Sequence, residues 1–212
     1  IDNDANAFAV AEYTFGQGKQ VDDLLCLTLG TGIGGGVFSG GRLIVGAGGG
    51  AAGLGHMTVN FSGPKCNCGS RGCIETYASG TGIAARMREK LSEVETLTDE
   101  TLAYYQNNPN ELTSHEVFKW YREELPLAKE VIDLALSALT YGISNFIHIF
   151  NPTLIVLGGG LMTDNEFLIP ELKMGLKQKG IQSLLDTVDI VPSKLGSHAG
   201  VIGAAAQVWL ED

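Results

Sequence analysis

Cationic side chains are scarce in this chain. Lys and Arg number 14 against 24 Asp and Glu, a formal net charge of −10. That balance argues against a nucleic-acid or anionic-membrane partner, yet leaves room for one phosphorylated nucleotide in a local pocket. Cysteine is nearly as sparse. There are four, and three of them (Cys66, Cys68 and Cys73) fall in one short span, leaving Cys26 inside an apolar run. A disulfide framework is therefore not expected, and a reducing cytoplasm is the compartment that fits. No signal peptide or targeting tail is recognisable, and no apolar span of membrane length runs unbroken. The most apolar region, Val131 to Leu161, is interrupted by Asn145, Pro152 and glycines. What remains is 212 residues with 44% hydrophobic and 18% charged content, enough for one large soluble domain with its own core.

The stretch from His56 to Glu75, HMTVNFSGPKCNCGSRGCIE, concentrates the chemistry. Three thiols and an imidazole are the donor set zinc prefers, and four such ligands close a tetrahedral shell. A closed shell has no place for a reacting water, so the expected metal at His56, Cys66, Cys68 and Cys73 holds structure. The glycines, Pro64 and Asn67 between the ligands suit a loop that a metal must fold because no core can. If one ring nitrogen of His56 binds the metal, the other is held as an N–H, a rigid donor for a carboxylate or a ligand hydroxyl. Glu75 follows Cys73 by two residues, so the same loop aims a carboxylate.

In chain order, Asp2, Asn3 and Asp4 precede a helix predicted over 5–15, with Phe8, Ala11, Glu12 and Phe15 at helical spacing. The chain opens directly on that helix at Ile1, as a piece of a longer protein would. Leu24 to Leu29 reads as a buried strand. Gly30, Thr31, Gly32, Gly34, Gly35 and Gly36 lie at its exit. Glycines there let backbone N–H groups approach an anion, which makes this a phosphate cradle in type. It is not a Walker A loop, because no Gly-Lys-Ser/Thr follows. Val37-Phe38 and Leu43 to Val45 read as a hairpin across Ser39 to Arg42. Helices are expected at 74–80, 82–91, 98–106 and 113–122, the last opened by a Thr113/Glu116 capping box. The polar 81–125 section is expected to be a helical insert or rim, with His115, Trp120 and Tyr121 as packing or surface residues. A long buried helix follows from Pro126 to about Phe150, then a strand at 154–157 ending in Gly158, Gly159 and Gly160. A helix at 166–179, a strand at 188–191 and a helix at 199–209 complete the pattern. Strand followed by glycines occurs twice. In an open α/β sheet both clusters would line one cleft at the carboxyl ends of the strands.

NDANA at 3–7, LGTGIGGG at 29–36, GHM at 55–57, CNCGSRGCIE at 66–75 and IVLGGG at 155–160 resemble, in this order, the ROK family of bacterial sugar kinases and repressors, in particular its glucokinase-like members. The resemblance covers the chain nearly end to end. It implies an actin-like ATPase (ribonuclease-H-like) fold, α/β in class, and a cytoplasmic enzyme, usually dimeric. It implies that Asp4 is the base in phosphoryl transfer from ATP to a hexose hydroxyl, glucose foremost. Asn3, His56 and Glu75 would hold the sugar; Gly30, Thr31, Gly32 and Gly34 the phosphates; Gly158 to Gly160 the adenosine side. ATP and Mg would serve the full-length enzyme beside structural zinc. Two departures stand out. The family's opening domain with its phosphate motif is not in this sequence, so the chain alone is expected to have little or no kinase activity. The final helix, 197–211, is expected to pack toward that domain. Second, where the family has Gly-Glu-x-Gly-His, this chain reads Ala52-Gly53-Leu54-Gly55-His56, and no carboxylate lies between Val45 and Asn60. A sugar-sensing repressor of the same family is the alternative reading.

Overall fold

The computed structural model describes residues 4–97 and 99–206. Its sheet has five strands in the order β3-β2-β1-β4-β5: β1 Leu24–Leu29, β2 Ile33–Ser39, β3 Arg42–Leu43, β4 Leu154–Gly158 and β5 Asp189–Pro192. β1 pairs antiparallel with β2 and parallel with β4, and β4 pairs parallel with β5. β1 is thus the central strand, covered on both faces, which is why its sequence is a continuous apolar run. Leu24 and Cys26 face one side with Phe38 and Val156, whereas Leu25, Leu27 and Leu29 face the other with Ile155 and Leu157.

The first face is covered by α1 (Asp4–Phe15) and α9 (Ala199–Ala206), packed against each other. Both helices are rich in alanine, and the sheet beneath them supplies glycine. A Cβ on Gly34 would lie 2.7 Å from that of Ala5, one on Gly36 2.5 Å from that of Ala9, and one on Gly203 1.6 Å from the Ala7 carbonyl. Backbone-to-backbone approach of this kind is possible only where side chains are missing. Gly34 and Gly36 therefore let α1 pack on β2, and Gly35 lies against Leu54. The strand β2 starts at Ile33, paired with Leu29, so the turn between β1 and β2 is reduced to Gly30, Thr31 and Gly32. The hairpin to β3 pairs Phe38 with Leu43 and Ser39 with Arg42. Gly40 and Gly41 occupy its two-residue turn at φ +56 and +74, as a twisted antiparallel pair requires.

The second face carries α2 (Glu75–Ala78), α3 (Gly80–Ser92), α4 (Glu100–Asn107), α5 (Ser114–Arg122), α6 (Pro126–Phe150), α7 (Leu168–Leu176) and α8 (Gln182–Leu185). α6 is long and apolar enough to span a membrane by composition, and 56% of that apolar window is buried inside the fold. It packs against α2, α3, α5, α7 and α8, as a core helix does. The polar 81–125 section contributes Ile83, Met87, Leu91, Leu102, Leu112, Val117, Phe118 and Trp120 to this same core. The capping box at Thr113 and Glu116 is formed, and Asp99 caps α4. Within the described residues the last helix runs to Ala206 and docks on α1; predicted positions 207–211 lie outside them, as does Asn3.

Candidate functional site

The metal loop is built on hydrogen bonds more than on packing. Gly72, at φ +63, has no room for a Cβ, which would fall 1.6 Å from the Asn60 carbonyl. Its N–H donates to Pro64 and its carbonyl accepts from Val59. These bonds bring His56, Cys66, Cys68 and Cys73 together, their ligand atoms all within 4.8 Å of one another. His56 Nδ1 stands 3.5 Å from Cys66 Sγ, and Cys68 Sγ 3.6 Å from Cys73 Sγ. Metal–sulfur bonds of about 2.3 Å and a metal–nitrogen bond of about 2.0 Å at tetrahedral angles demand separations of roughly 3.5–3.8 Å; these two pairs match that spacing, and the cluster could hold one ion. Burial and the neighbouring sulfurs push the Cys73 thiol up to about 12, whereas the Ser70 backbone and Cys66 lower that of Cys68. A divalent cation among three sulfurs removes the conflict between thiolates. Cys26 stands apart, fully buried, its thiol pushed up by burial and then by Glu12.

His56 ends a short 3-10 turn, Leu54–His56. Gly55 presses on β2, where a Cβ would meet the Ile33 carbonyl at 2.2 Å, so the turn fixes His56 beside the Gly30–Ile33 turn. On the other side of the loop, Cys73 leads into α2. Glu75 Oε2 accepts the Ile33 N–H at 2.8 Å. Gly80 N–H donates to the Gly30 carbonyl at 2.7 Å, and the Thr81 hydroxyl to that of Thr31 at 2.8 Å. Glu75 thus reaches the turn from the loop, and Gly30 and Thr31 line a cleft.

That cleft has a volume of about 500 Å³. Gly30, Thr31 and Gly160 line it together, so the two glycine clusters after β1 and β4 do meet. Gly159, at φ +92, makes this possible: a Cβ there would lie 2.4 Å from the Leu29 carbonyl, which accepts the Leu161 N–H at 2.9 Å. Ala84, Leu112, Phe118 and Leu161 give the cleft an apolar floor. Arg88 donates to the Pro109 and Leu112 carbonyls, both at 2.6 Å, and so braces the wall. Arg122 donates to Asn165 Oδ1 at 3.1 Å, and Asn165 Nδ2 to the Leu161 carbonyl at 2.9 Å. His115, read from the sequence as a packing or surface residue, lies on this wall; Trp120 and Tyr121 pack, against Tyr105 and Phe167. Gly158 and Gly159 face a second cavity of about 410 Å³, shared at Gly160.

Asp4 is exposed in the first turn of α1, one residue before Ala5, which packs over Gly34 of β2. Sequence reasoning missed Arg88, His115, Arg122, Asp164 and Asn165 as cleft residues. They come from three separate segments with no shared spacing. The one available signal was the helix start at Thr113, which also lines the cleft.

The family description that matches this chain is "ROK family", over residues 1–210. The glucokinase of Thermotoga maritima is 38% identical over 206 residues, covering 97% of this chain and 64% of its own length. A xylose repressor of Caldicellulosiruptor bescii is 29% identical over 208 residues, 98% of this chain and 51% of its own length. Among solved structures, a ROK family glucokinase from Streptomyces griseus in complex with glucose and AMPPNP superposes with a TM-score of 0.81 at 30% identity, covering 98% of this chain and 67% of that one.

Proposed function

This chain belongs to the ROK family and has its actin-like fold, and from that premise we propose that the protein transfers a phosphoryl group from ATP to a hexose hydroxyl, with glucose as leading substrate and glucose 6-phosphate as product. The chain spans 64% of the length of the Thermotoga glucokinase, so the activity is assigned to the whole protein. The observation that supports the reading is the Gly30–Ile33 turn, which Glu75 reaches through the Ile33 N–H and which lines a cleft of about 500 Å³ at Gly30 and Thr31.

Zinc is the metal in this reading, held by His56, Cys66, Cys68 and Cys73. It supplies rigidity and a fixed tautomer, with no part in bond making. With Nδ1 toward the sulfurs, Nε2 is the N–H donor to a sugar oxygen. Glu75 has its Oε1 for a second hydroxyl. Asp4 takes the proton from the attacking hydroxyl, and the Gly30–Gly32 turn meets the phosphates with Mg; phosphoryl transfer asks mainly for such positioning. The apolar floor of the cleft suits a base and ribose, and Arg88 is already committed to two carbonyls, which favours ATP over an inorganic polyphosphate donor. Leu134, Tyr141 and Ile149 lie exposed along α6, which supports a homodimer. The enzyme is cytoplasmic in this account.

The repressor relative keeps a second reading in view: a sugar sensor that binds no nucleotide. A thermal-shift screen of sugars and nucleotides on the full-length protein separates the two. The kinase reading expects saturable shifts with both ATP and a hexose. A sugar shift without a nucleotide shift favours the sensor.

A further inference from the structure

The carboxylate of Glu75 has two oxygens, and the structure commits one of them to the protein. Oε2 accepts the N–H of Ile33, the residue that closes the turn carrying Thr31. The approach is so close that a Cβ on Gly32 would lie 2.6 Å from that oxygen. The segment that follows Glu75 grips the same turn again, through Gly80 N–H to Gly30 and through the Thr81 hydroxyl to Thr31. Ser79, fully buried, locks the segment: its hydroxyl donates to the Glu75 carbonyl at 2.8 Å and accepts the Gly82 N–H at 3.0 Å. Upstream the path is equally short. Thr76 Oγ1 donates to the Cys73 carbonyl at 2.7 Å, and Ile74 N–H to that of Met57 at 3.0 Å. No free joint separates the metal cluster from the turn.

We infer that Glu75 is a positioning residue for the phosphate-facing turn as well as a sugar contact, so that metal occupancy and the sugar-side carboxylate are both felt in the nucleotide cleft. The inference rests on the reading of that cleft as a nucleotide site. A residue that only touched sugar would leave the cleft indifferent to its removal; one that also holds Ile33 would not. Coupling follows because a carboxylate drawn toward a sugar hydroxyl moves the acceptor on which the turn depends.

The test compares the metal-loaded full-length protein with its Glu75→Gln and Glu75→Ala variants, following the Ile33 amide by ¹H–¹⁵N NMR and titrating Mg-ADP by calorimetry, with metal content measured for each. Gln keeps an acceptor for the Ile33 N–H, so its Mg-ADP affinity stays within about threefold of the parent. Ala leaves that N–H unpaired, shifts the Ile33 resonance upfield and lowers Mg-ADP affinity by about tenfold or more, as loss of a hydrogen bond to a charged group does. Stripping the metal from the parent shifts the Ile33 amide too, which decides the matter if the Ala variant does not fold. An Ile33 resonance and Mg-ADP affinity unchanged in the metal-loaded Ala variant, or an Ile33 resonance unmoved by chelation, would overturn the inference. A parent that binds no Mg-ADP would count against the nucleotide reading instead, and the Ile33 amide would still decide the role of Glu75.

Discussion

Gly53 and Gly55 stand two residues apart and differ in what they permit. A side chain at 55 would collide with the Ile33 carbonyl, whereas a Cβ at 53 meets nothing within 4 Å, and φ there is −67, open to any residue. Backbone geometry therefore does not require glycine at the position where the family pattern has a glutamate. Gly53 opens the turn that ends in His56 and accepts the His56 N–H at 3.1 Å. Calorimetric titration of the full-length protein with glucose is expected to show Gly53→Glu binding more tightly than the parent, by about tenfold to a hundredfold for a charged hydrogen bond. Unchanged affinity would remove position 53 from the sugar site. At Asp4 the expectation is the opposite kind of effect. Asp4→Asn lowers phosphoryl transfer by about 10²–10⁴ in a coupled assay, while the thermal midpoint hardly moves, because this exposed side chain makes no core contact.

Among the elements, those with a local signature were legible. β1 was read with its observed ends because two buried faces demand an unbroken apolar run. The Thr113 cap was read because its partner lies three residues away. The glycine run 30–36 was legible in kind and not in extent: sequence distinguishes neither an anion nor a helix as the thing approaching a bare Cα. Only the packing of Ala5 and Ala9 divides it, giving Gly30–Gly32 to the turn and Gly34 and Gly36 to α1. A substitution checks the division. Gly36→Ala inserts a methyl 2.5 Å from the Ala9 Cβ and 3.0 Å from the Ala5 carbonyl, and is expected to cost about 1–3 kcal/mol of stability in urea. A loss of nucleotide affinity with stability unchanged would instead return Gly36 to the phosphate site. The cleft wall escaped the sequence because Arg88, His115, Arg122 and Asn165 sit on α3, α5 and the connection after β4, each read alone as an ordinary helix or loop residue. Only tertiary structure makes them neighbours.

For the whole molecule, the two faces of the sheet divide the work. The alanine-rich face carries α1 and with it Asp4, and the other carries the metal loop, the helices of the cleft wall and α6. At the exits of β1 and β4, Gly30, Thr31 and Gly160 line one cleft. Because the chain spans 64% of the length of the Thermotoga glucokinase, we propose that it turns over ATP and glucose at little or no rate by itself; robust turnover would contradict that. The account depends most on the loop that presents His56 and Glu75. Its most direct test is elemental analysis combined with zinc-edge X-ray absorption on the chain purified without chelator. One zinc per chain with three sulfur neighbours near 2.3 Å and one nitrogen near 2.0 Å is the predicted result; no stoichiometric metal, or a shell of oxygens, would contradict it.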